Sequence, residues 1–434
     1  MHTLLALVMV AAGPVPVATT GLDWQPCGTE KGVSCATLTV PVDWARPRGA
    51  TIGIAIAKRE ATDQAHKVGT LVFGPGGPGD SGVDRVVGNA GRFRDLRARF
   101  DIVSFDPRGV GGSSAMTCDP VLMQAAPDPV LTSAKQFQET LRHNRELWAD
   151  CERRTGPVWR HADTLSTVRD VEALRKALGE RQLTFHGSSY GTLLGQEYAS
   201  RYPGRVRAMV LESVTDHSSR DTASFLSAQA WAFEDAFDDF LATCPECAEP
   251  WQRLYADPGR GGMTRFDLIA ITHKLLKDGE YERLAALIKS GQGQHVRLDV
   301  VIPAFCADWS LPVHSYADYR RILRQAERVA PDTHFPAQAF ALTMCLGWPH
   351  VTNPQHDLDV RTRVPLLLLN SRHDPATGIN WARNVERQLG SRGVLVTYEG
   401  TGHGSYSLSA CMREIADDYL VDVTVPARGI SCPR

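Results

Sequence analysis

Eight residues, Phe185-His186-Gly187-Ser188-Ser189-Tyr190-Gly191-Thr192, constrain this chain more than any other stretch. Residues 181–185 before them read as a short strand, and residues 193–202 after them read as a helix closed by Pro203-Gly204. Gly187-x-Ser189-x-Gly191 therefore stands where a strand turns sharply into a helix. Such a turn forces its central residue into an unfavourable backbone conformation, and glycines on either side remove the Cβ atoms that would collide. The Ser189 hydroxyl then projects from the end of the strand, and the helix N-terminus behind it stabilises negative charge. Ser188 is out of frame with both glycines. In this strand-turn-helix setting the pattern is a nucleophile elbow.

The flanking chain alternates strand and helix patterns, as a mostly parallel sheet requires. Residues 27–40 and 51–59 read as opening antiparallel strands, and residues 68–73 and 100–105 as buried central ones. Residues 205–211 supply a strand after the elbow helix, and residues 364–370 and 394–398 two more. Eight strands are thus expected. Val168, Val171, Leu174 and Leu178 give residues 164–178 helical spacing, with Asp163 or Thr164 as cap. Residues 115–160 are polar, read as irregular and are expected outside the sheet. The rhythm changes at Asp216: residues 222–345 carry helical patterns and no clear strand. Phe225, Trp231, Phe233, Phe237 and Phe240 are the expected packing face there, with Glu234, Asp235, Asp238 and Asp239 as a solvated face. The predicted organisation is a leader over 1–20, a core over 21–215, a mainly helical lid over 216–350, and the rest of the core over 351–434.

Composition matters mainly for what it excludes. A formal charge of -2, with no basic run, argues against nucleic-acid binding. The apolar run at residues 4–12 is too short to span a bilayer but has the length of a signal-peptide core. It lacks a preceding lysine or arginine; cleavage is expected between Ala12 and Thr20, with export and no stable membrane insertion. Ten cysteines support an oxidising compartment. They fall into neighbouring pairs: Cys27/Cys35, Cys118/Cys151, Cys244/Cys247, Cys306/Cys345 and Cys411/Cys432. Cys244-Pro245-Glu246-Cys247 also has the form of a redox or zinc half-site, but no second such motif completes it, and no metal is expected.

Three loops at strand ends carry the chemistry. Gly74-Pro75-Gly76-Gly77-Pro78-Gly79-Asp80-Ser81-Gly82 lacks the Gly-Lys-Ser/Thr ending of a phosphate loop, and its prolines remove donors. It suits an oxyanion hole formed by the N–H groups of Gly77 and Tyr190, with a plain structural turn as the alternative. Asp106 and Arg108, after the strand at 100–105, are expected to brace their own loop. Asp374 and His403 each follow a predicted strand, and Ser189, Asp374 and His403 occur in the order of an α/β-hydrolase triad. Glu399 lies on the wrong loop to be the acid, Asp332 and Asp308 lie in lid sequence, and His373 is expected to point elsewhere.

At these residues the chain resembles the secreted tripeptidyl aminopeptidases and related exported proteases of actinomycetes, in the proline-iminopeptidase branch of the α/β-hydrolases. The resemblance covers nearly the whole chain after the leader. It rests on Val40-Pro41-x-Asp43, Pro75-Gly76-Gly77-Pro78-Gly79-x-Ser81-Gly82, Asp106-Pro107-Arg108-Gly109-x-Gly111 and Gly187-x-Ser189-Tyr190-Gly191-Thr192. It extends to Cys306-Ala307-Asp308-Trp309, Cys345-x-x-Trp348-Pro349, Asp374-Pro375-x-Thr377 and the closing Cys411 to Cys432 segment. It implies an α/β-hydrolase fold and an exported serine peptidase that removes short peptides from a free N-terminus without metal or cofactor. Two positions depart from the family pattern near the substrate mouth: Gly378, where the family usually has proline, and Glu212, near where it usually has aspartate.

An aminopeptidase must hold its substrate's ammonium, and Asp308, Glu212 and Glu234 are the candidate anchors, each otherwise a structural ion pair. The triad alone does not choose amide over ester, so an esterase or lipase-like hydrolase is the alternative enzyme, and a non-catalytic binding protein the alternative of another class. A closed, acid-lined pocket favours the peptidase and an open apolar trench the esterase.

Overall fold

In the computed structural model, which describes residues 21–29, 31–88, 91–296 and 302–434, ten strands form one sheet. They are β1 (Gln25–Pro26), β2 (Val33–Pro41), β3 (Thr51–Arg59), β4 (Gly69–Gly74), β5 (Phe100–Phe105), β6 (Leu183–Ser188), β7 (Val206–Glu212), β8 (Leu366–His373), β9 (Gly393–Thr401) and β10 (Ser431–Cys432). Their order is β1-β2-β3-β5-β4-β6-β7-β8-β9-β10. The first three strands pair antiparallel, as does β3 with β5, and all remaining pairings are parallel. The expected eight strands become ten because two-residue strands extend both edges. Each is joined to the sheet region by a bridge, Cys27–Cys35 and Cys411–Cys432, and two residues carry no readable alternation. The strand expected over residues 27–40 begins only at Val33, as β2.

Burial on both faces explains why β4 and β5 read as continuous apolar runs. On one face Val72, Val103, Phe185, Leu211 and Leu368 pack against the helices Thr164–Ala177, Tyr190–Arg201 and Ile379–Leu389. On the other, Leu71, Phe73, Ile102, Val210 and Leu369 meet Met412, Ala416 and Leu420 of the helix Ala410–Asp422. All ten cysteines are bridged in the five neighbouring pairs, so Cys244 and Cys247 offer no free thiol to a metal.

Residues 115–160 differ from expectation. They contain the 22-residue helix Ala134–Thr155, capped by Ser133, whose side chain accepts from the Gln136 N–H. Its contacts include a polar one, Asn144 Nδ2 donating to the carbonyls of Thr343 and Leu346, which blurred the apolar period. Between β7 and β8 the described residues are helices and loops around a separate core that includes Phe225, Phe233, Phe237, Phe240, Trp251 and Trp309. Trp231 leaves the expected packing face and is exposed, because it lies off the helical stripe that unites the other four aromatics. The acidic set is not simply solvated. Glu234 accepts from the Asp332 and Thr333 N–H groups, Asp235 binds His373 Nδ1 at 2.8 Å, and Asp239 accepts from Tyr281 and Thr401.

Arg108 braces the core. It is buried, forms two 2.7 Å hydrogen bonds to Asp170 and donates to the carbonyls of Pro41, Val42 and His161. Asp106 accepts from the Ser81 hydroxyl and from the N–H groups of Val83 and Gly112. Removing one partner of a buried ion pair strands the other charge. Asp170→Ala, which also deprives Trp44 Nε1 of its acceptor, is expected to lower unfolding free energy by about 3–5 kcal/mol in urea denaturation. A loss below about 1 kcal/mol would show that the pair is dispensable.

Candidate active site

The elbow is built by close backbone approach. Ser189 has φ 56° and ψ −121°, between the end of β6 and the helix Tyr190–Arg201. A Cβ on Gly187 would lie 2.4 Å from the Gly191 carbonyl oxygen, and one on Gly191 would lie 2.3 Å from that of Gly74. Both obstacles are backbone, which cannot swing aside. The glycines thus let the loop after β4 lie against the turn, where Gly76 and Gly77 share a cavity wall with Ser189 and Tyr190. The first N–H groups of a helix lack intrahelical acceptors, so the start of the Tyr190–Arg201 helix offers donors there.

Asp374 and His403 follow the neighbouring strands β8 and β9. His403 Nδ1 lies 2.9 and 3.0 Å from the two Asp374 carboxylate oxygens. Asp374 also accepts from the N–H groups of Ala376 and Thr377 and from the Thr377 hydroxyl. Burial alone would raise its pKa, but His403 and these donors outweigh it and hold the carboxyl below its ordinary value. The His403 backbone N–H donates to the Lys277 carbonyl, and the Gly404 N–H donates to the Ser213 hydroxyl, which fixes the loop that carries the imidazole. Ser189 and His403 line the same cavity, with no direct hydrogen bond between them among the described residues. Catalytic contacts of this kind commonly tighten only with substrate bound. The rival groups face elsewhere: Glu399 pairs with Arg372, and His373 turns to Asp235.

The cavity holds about 600 Å³ and is roofed by the segment between β7 and β8. Phe225, Phe305, Trp309 and Trp381 give it an aromatic wall, with Phe225 and Trp309 ring centroids 4.8 Å apart. Gln229 lines it too, 3% exposed, with no partner for its Oε1. The charged groups of its lining include Asp80, paired with Arg85, and Asp278, paired with Lys274.

None of the three expected ammonium anchors is in that lining. Glu212 is fully buried, bound by Arg92 at 2.6 Å, His186 at 3.2 Å and the Tyr406 N–H at 2.7 Å. Burial opposes its ionisation, yet Arg92 and His186 bring its pKa down to about 2. Glu234 is committed to Thr333 and Asp332. Asp308 accepts from the Thr164 hydroxyl and the Tyr190 hydroxyl, and burial with Asp163 nearby pushes its carboxyl up to about 7. It ties the residue after Ser189 to the lid. The reason for the mismatch is common to all three: a buried carboxylate is tolerated only where the fold supplies its partners.

Some cavity residues escaped the sequence reading. His273, on the helix Arg265–Lys277, lies beside the Asp374 loop with Nε2 3.2 Å from the Pro375 carbonyl. Burial, with Lys277 and His403 nearby, lowers its pKa to about 3, so it is a neutral donor. It looked like any histidine on an amphipathic helix. Asp80 did have a signal, because it belongs to the glycine-proline loop.

The fold, the elbow and the loops at the ends of β4, β6, β8 and β9 define a serine hydrolase of the α/β-hydrolase class. Residues 69–247 match the model of the alpha/beta hydrolase fold family, and residues 333–432 match that of the TAP-like proteins. The chain thus carries the α/β-hydrolase fold and is similar to the TAP-like proteins over its C-terminal part. It is 29% identical over 482 residues to serine protease Hip1 of Mycobacterium tuberculosis, covering 95% of this chain and 91% of that protein. It is 29% identical over 475 residues to the tripeptidyl aminopeptidase of Streptomyces lividans, covering 96% and 87%. Carboxylesterase B of Mycobacterium tuberculosis is 28% identical over 480 residues, covering 96% and 91%.

Proposed function

We propose that this protein is an exported serine peptidase that releases short peptides, tripeptides foremost, from free N-termini. The observation that carries the reading is that Ser189 and His403 line one roofed cavity, with Asp374 buried behind the His403 ring. Relatives that include a tripeptidyl aminopeptidase and a serine protease, matched along almost their full length, favour a peptide over an ester. The five bridges suit an oxidising compartment, and no helix among the described residues is long and apolar enough to cross a membrane. The expected leader over residues 1–20 lies outside the described residues.

In the proposed mechanism Ser189 Oγ attacks the scissile carbonyl carbon while His403 Nε2 takes its proton. Asp374 holds the Nδ1–H tautomer and stabilises the imidazolium. The N–H groups of Gly77 and Tyr190 receive the negative oxygen of the tetrahedral intermediate. His403 returns the proton to the leaving amine, and water, deprotonated by the same imidazole, then hydrolyses the acyl-enzyme and regenerates Ser189. No metal or cofactor takes part. Asp80 and Asp278, the carboxylates of the cavity lining, are the proposed attractants for the substrate's ammonium, and the aromatic wall receives an apolar side chain.

Ala-Ala-Pro-type tripeptide anilides with free and acetylated N-termini, run beside a short p-nitrophenyl ester, test this reading. Cleavage of the free tripeptide is expected to fall by at least about 10-fold on acetylation, the loss of one charge-assisted contact. Ester turnover without peptide cleavage would instead make the protein an esterase, which the aromatic wall and the carboxylesterase relative would then explain.

A further inference from the structure

Glu197, His217 and His356 meet outside the cavity, with one ligand atom from each within 4.8 Å of the others. They come from three separate parts of the chain. Glu197 is on the helix that follows Ser189, His217 lies just past β7 where the chain enters the lid, and His356 lies where it returns toward β8. The backbone joins the two histidine loops directly, through His356 N–H and the His217 carbonyl at 2.9 Å.

The hydrogen bonds of both rings have one orientation in common. His217 Nε2 lies 2.6 Å from the Asp308 carbonyl oxygen, which can only accept, so this nitrogen carries the proton. Its Nδ1 is buried without a hydrogen-bond partner, 4.0 Å from Glu197 Oε1. His356 Nδ1 lies 3.0 Å from the Pro354 carbonyl and is likewise a donor, while Nε2 lies 3.2 Å from Glu197 Oε1, a contact in which it carries a proton that a bound cation would displace. Each imidazole thus gives one N–H to a backbone carbonyl and turns its other nitrogen to the same carboxylate. Metal-ligating histidines are held this way, since the outer hydrogen bond sets the tautomer and aims the lone pair. His217 is 1% exposed at its side chain and Glu197 6%, whereas His356 is 42% exposed and leaves a path from solvent.

From this arrangement we infer that Glu197, His217 and His356 form a divalent-cation site for zinc, with one position left for water. Two imidazoles and a carboxylate are a common zinc set, and bonds of about 2.0–2.1 Å put tetrahedral ligands about 3.3–3.4 Å apart. Of the three spacings, that of 3.2 Å already fits, that of 4.0 Å requires a contraction of about 0.6 Å, and that between the two histidine nitrogens, within 4.8 Å, must close by up to about 1.4 Å. Asn353 Nδ2, 3.5 Å from Glu197 Oε1, is the neighbour that must yield. The ion would clip both ends of the lid to the elbow helix. It would also fix the ring of His217, which packs edge-on against Trp309 of the cavity wall at 4.6 Å between centroids. The inference does not depend on the peptide specificity proposed above.

The test uses the purified chain without a histidine tag, stripped with chelator, titrated calorimetrically with zinc chloride and melted with and without the ion. One zinc per chain is expected, with a Kd of about 1 μM or tighter. The melting temperature should rise by at least about 2 °C at roughly 100-fold excess over Kd. His356→Ala, at the exposed ligand, should fold normally, weaken binding by about 100-fold and abolish the shift. Glu197→Gln should weaken it as well, and cobalt(II) should give the visible absorption of a four-coordinate site only in the unmodified protein. No zinc binding by the folded chain, or an affinity in His356→Ala equal to that of the parent, would overturn the inference and leave an ordinary ion pair.

Discussion

Ser189→Ala is expected to lower kcat on the cleaved peptide by about 10⁵–10⁶-fold, with little change in melting temperature. The proposed reaction has a single nucleophile, so the chemistry that remains comes from the oxyanion donors and substrate binding alone. The substitution keeps the Cβ and therefore the packing of this turn, in which a Cβ on Gly76 would already stand 3.1 Å from that of Ser189. It also keeps the left-handed φ of 56°, so the variant inherits the backbone strain and does not relieve it. Ser188→Ala is the matched control and should retain kcat within about 3-fold, since Ser188 stands beside the nucleophile with no assigned part in the chemistry. Single-turnover assays with active-site labelling by a fluorophosphonate would measure both. Activity above about 1% of the parent in folded Ser189→Ala would remove Ser189 from the mechanism.

Asp374→Asn should cost about 10⁴-fold in kcat while leaving KM within a few-fold. His403 Nδ1 sits between both carboxylate oxygens, at 2.9 and 3.0 Å, and needs an acceptor there to keep its proton on Nδ1. An asparagine can still accept from the Ala376 and Thr377 N–H groups, so the loop should hold its shape. Its amide nitrogen then donates toward the ring and favours the tautomer whose Nε2 already bears a proton, which cannot accept one from Ser189. Glu399→Gln is the control: Glu399 is paired with Arg372 and partly exposed, and its loss should change kcat by less than about 3-fold. Equal losses in the two variants would mean that the acid has been misassigned.

The contrast between these carboxylates shows which features were legible in residue order. Asp374 and His403 stand at the ends of apolar strand runs, and in a parallel sheet the loops at those ends share one edge. Glu212 also ends a strand, β7, yet its side chain is consumed by Arg92, His186 and Tyr406. The Arg92 and Tyr406 partners lie far from it in the sequence, and no local pattern announces them. The helix Ala134–Thr155 was illegible for a related reason. Part of its packing face is polar, with Asn144 bonded to carbonyls of a distant segment, so the apolar period that marks a helix is diluted.

The cysteine pairing was settled by the folded chain, while residue order by itself determined the strand runs, the glycine-flanked turn at Ser189, and the loop ends that carry the proposed triad. These depend on sterics and hydrogen bonding within a few residues, or on a period of two or 3.6. Tertiary structure alone decided which groups line the cavity, because that depends on how the long helical insertion lies across the sheet edge. Asp80, His273 and Asp278 reach the cavity, whereas Asp308, Glu212 and Glu234 are tied to other partners. Water would solvate a carboxylate equally well at any of these positions in an unfolded chain. Only the folded chain separates them, by supplying buried partners to some and leaving others beside the substrate's path.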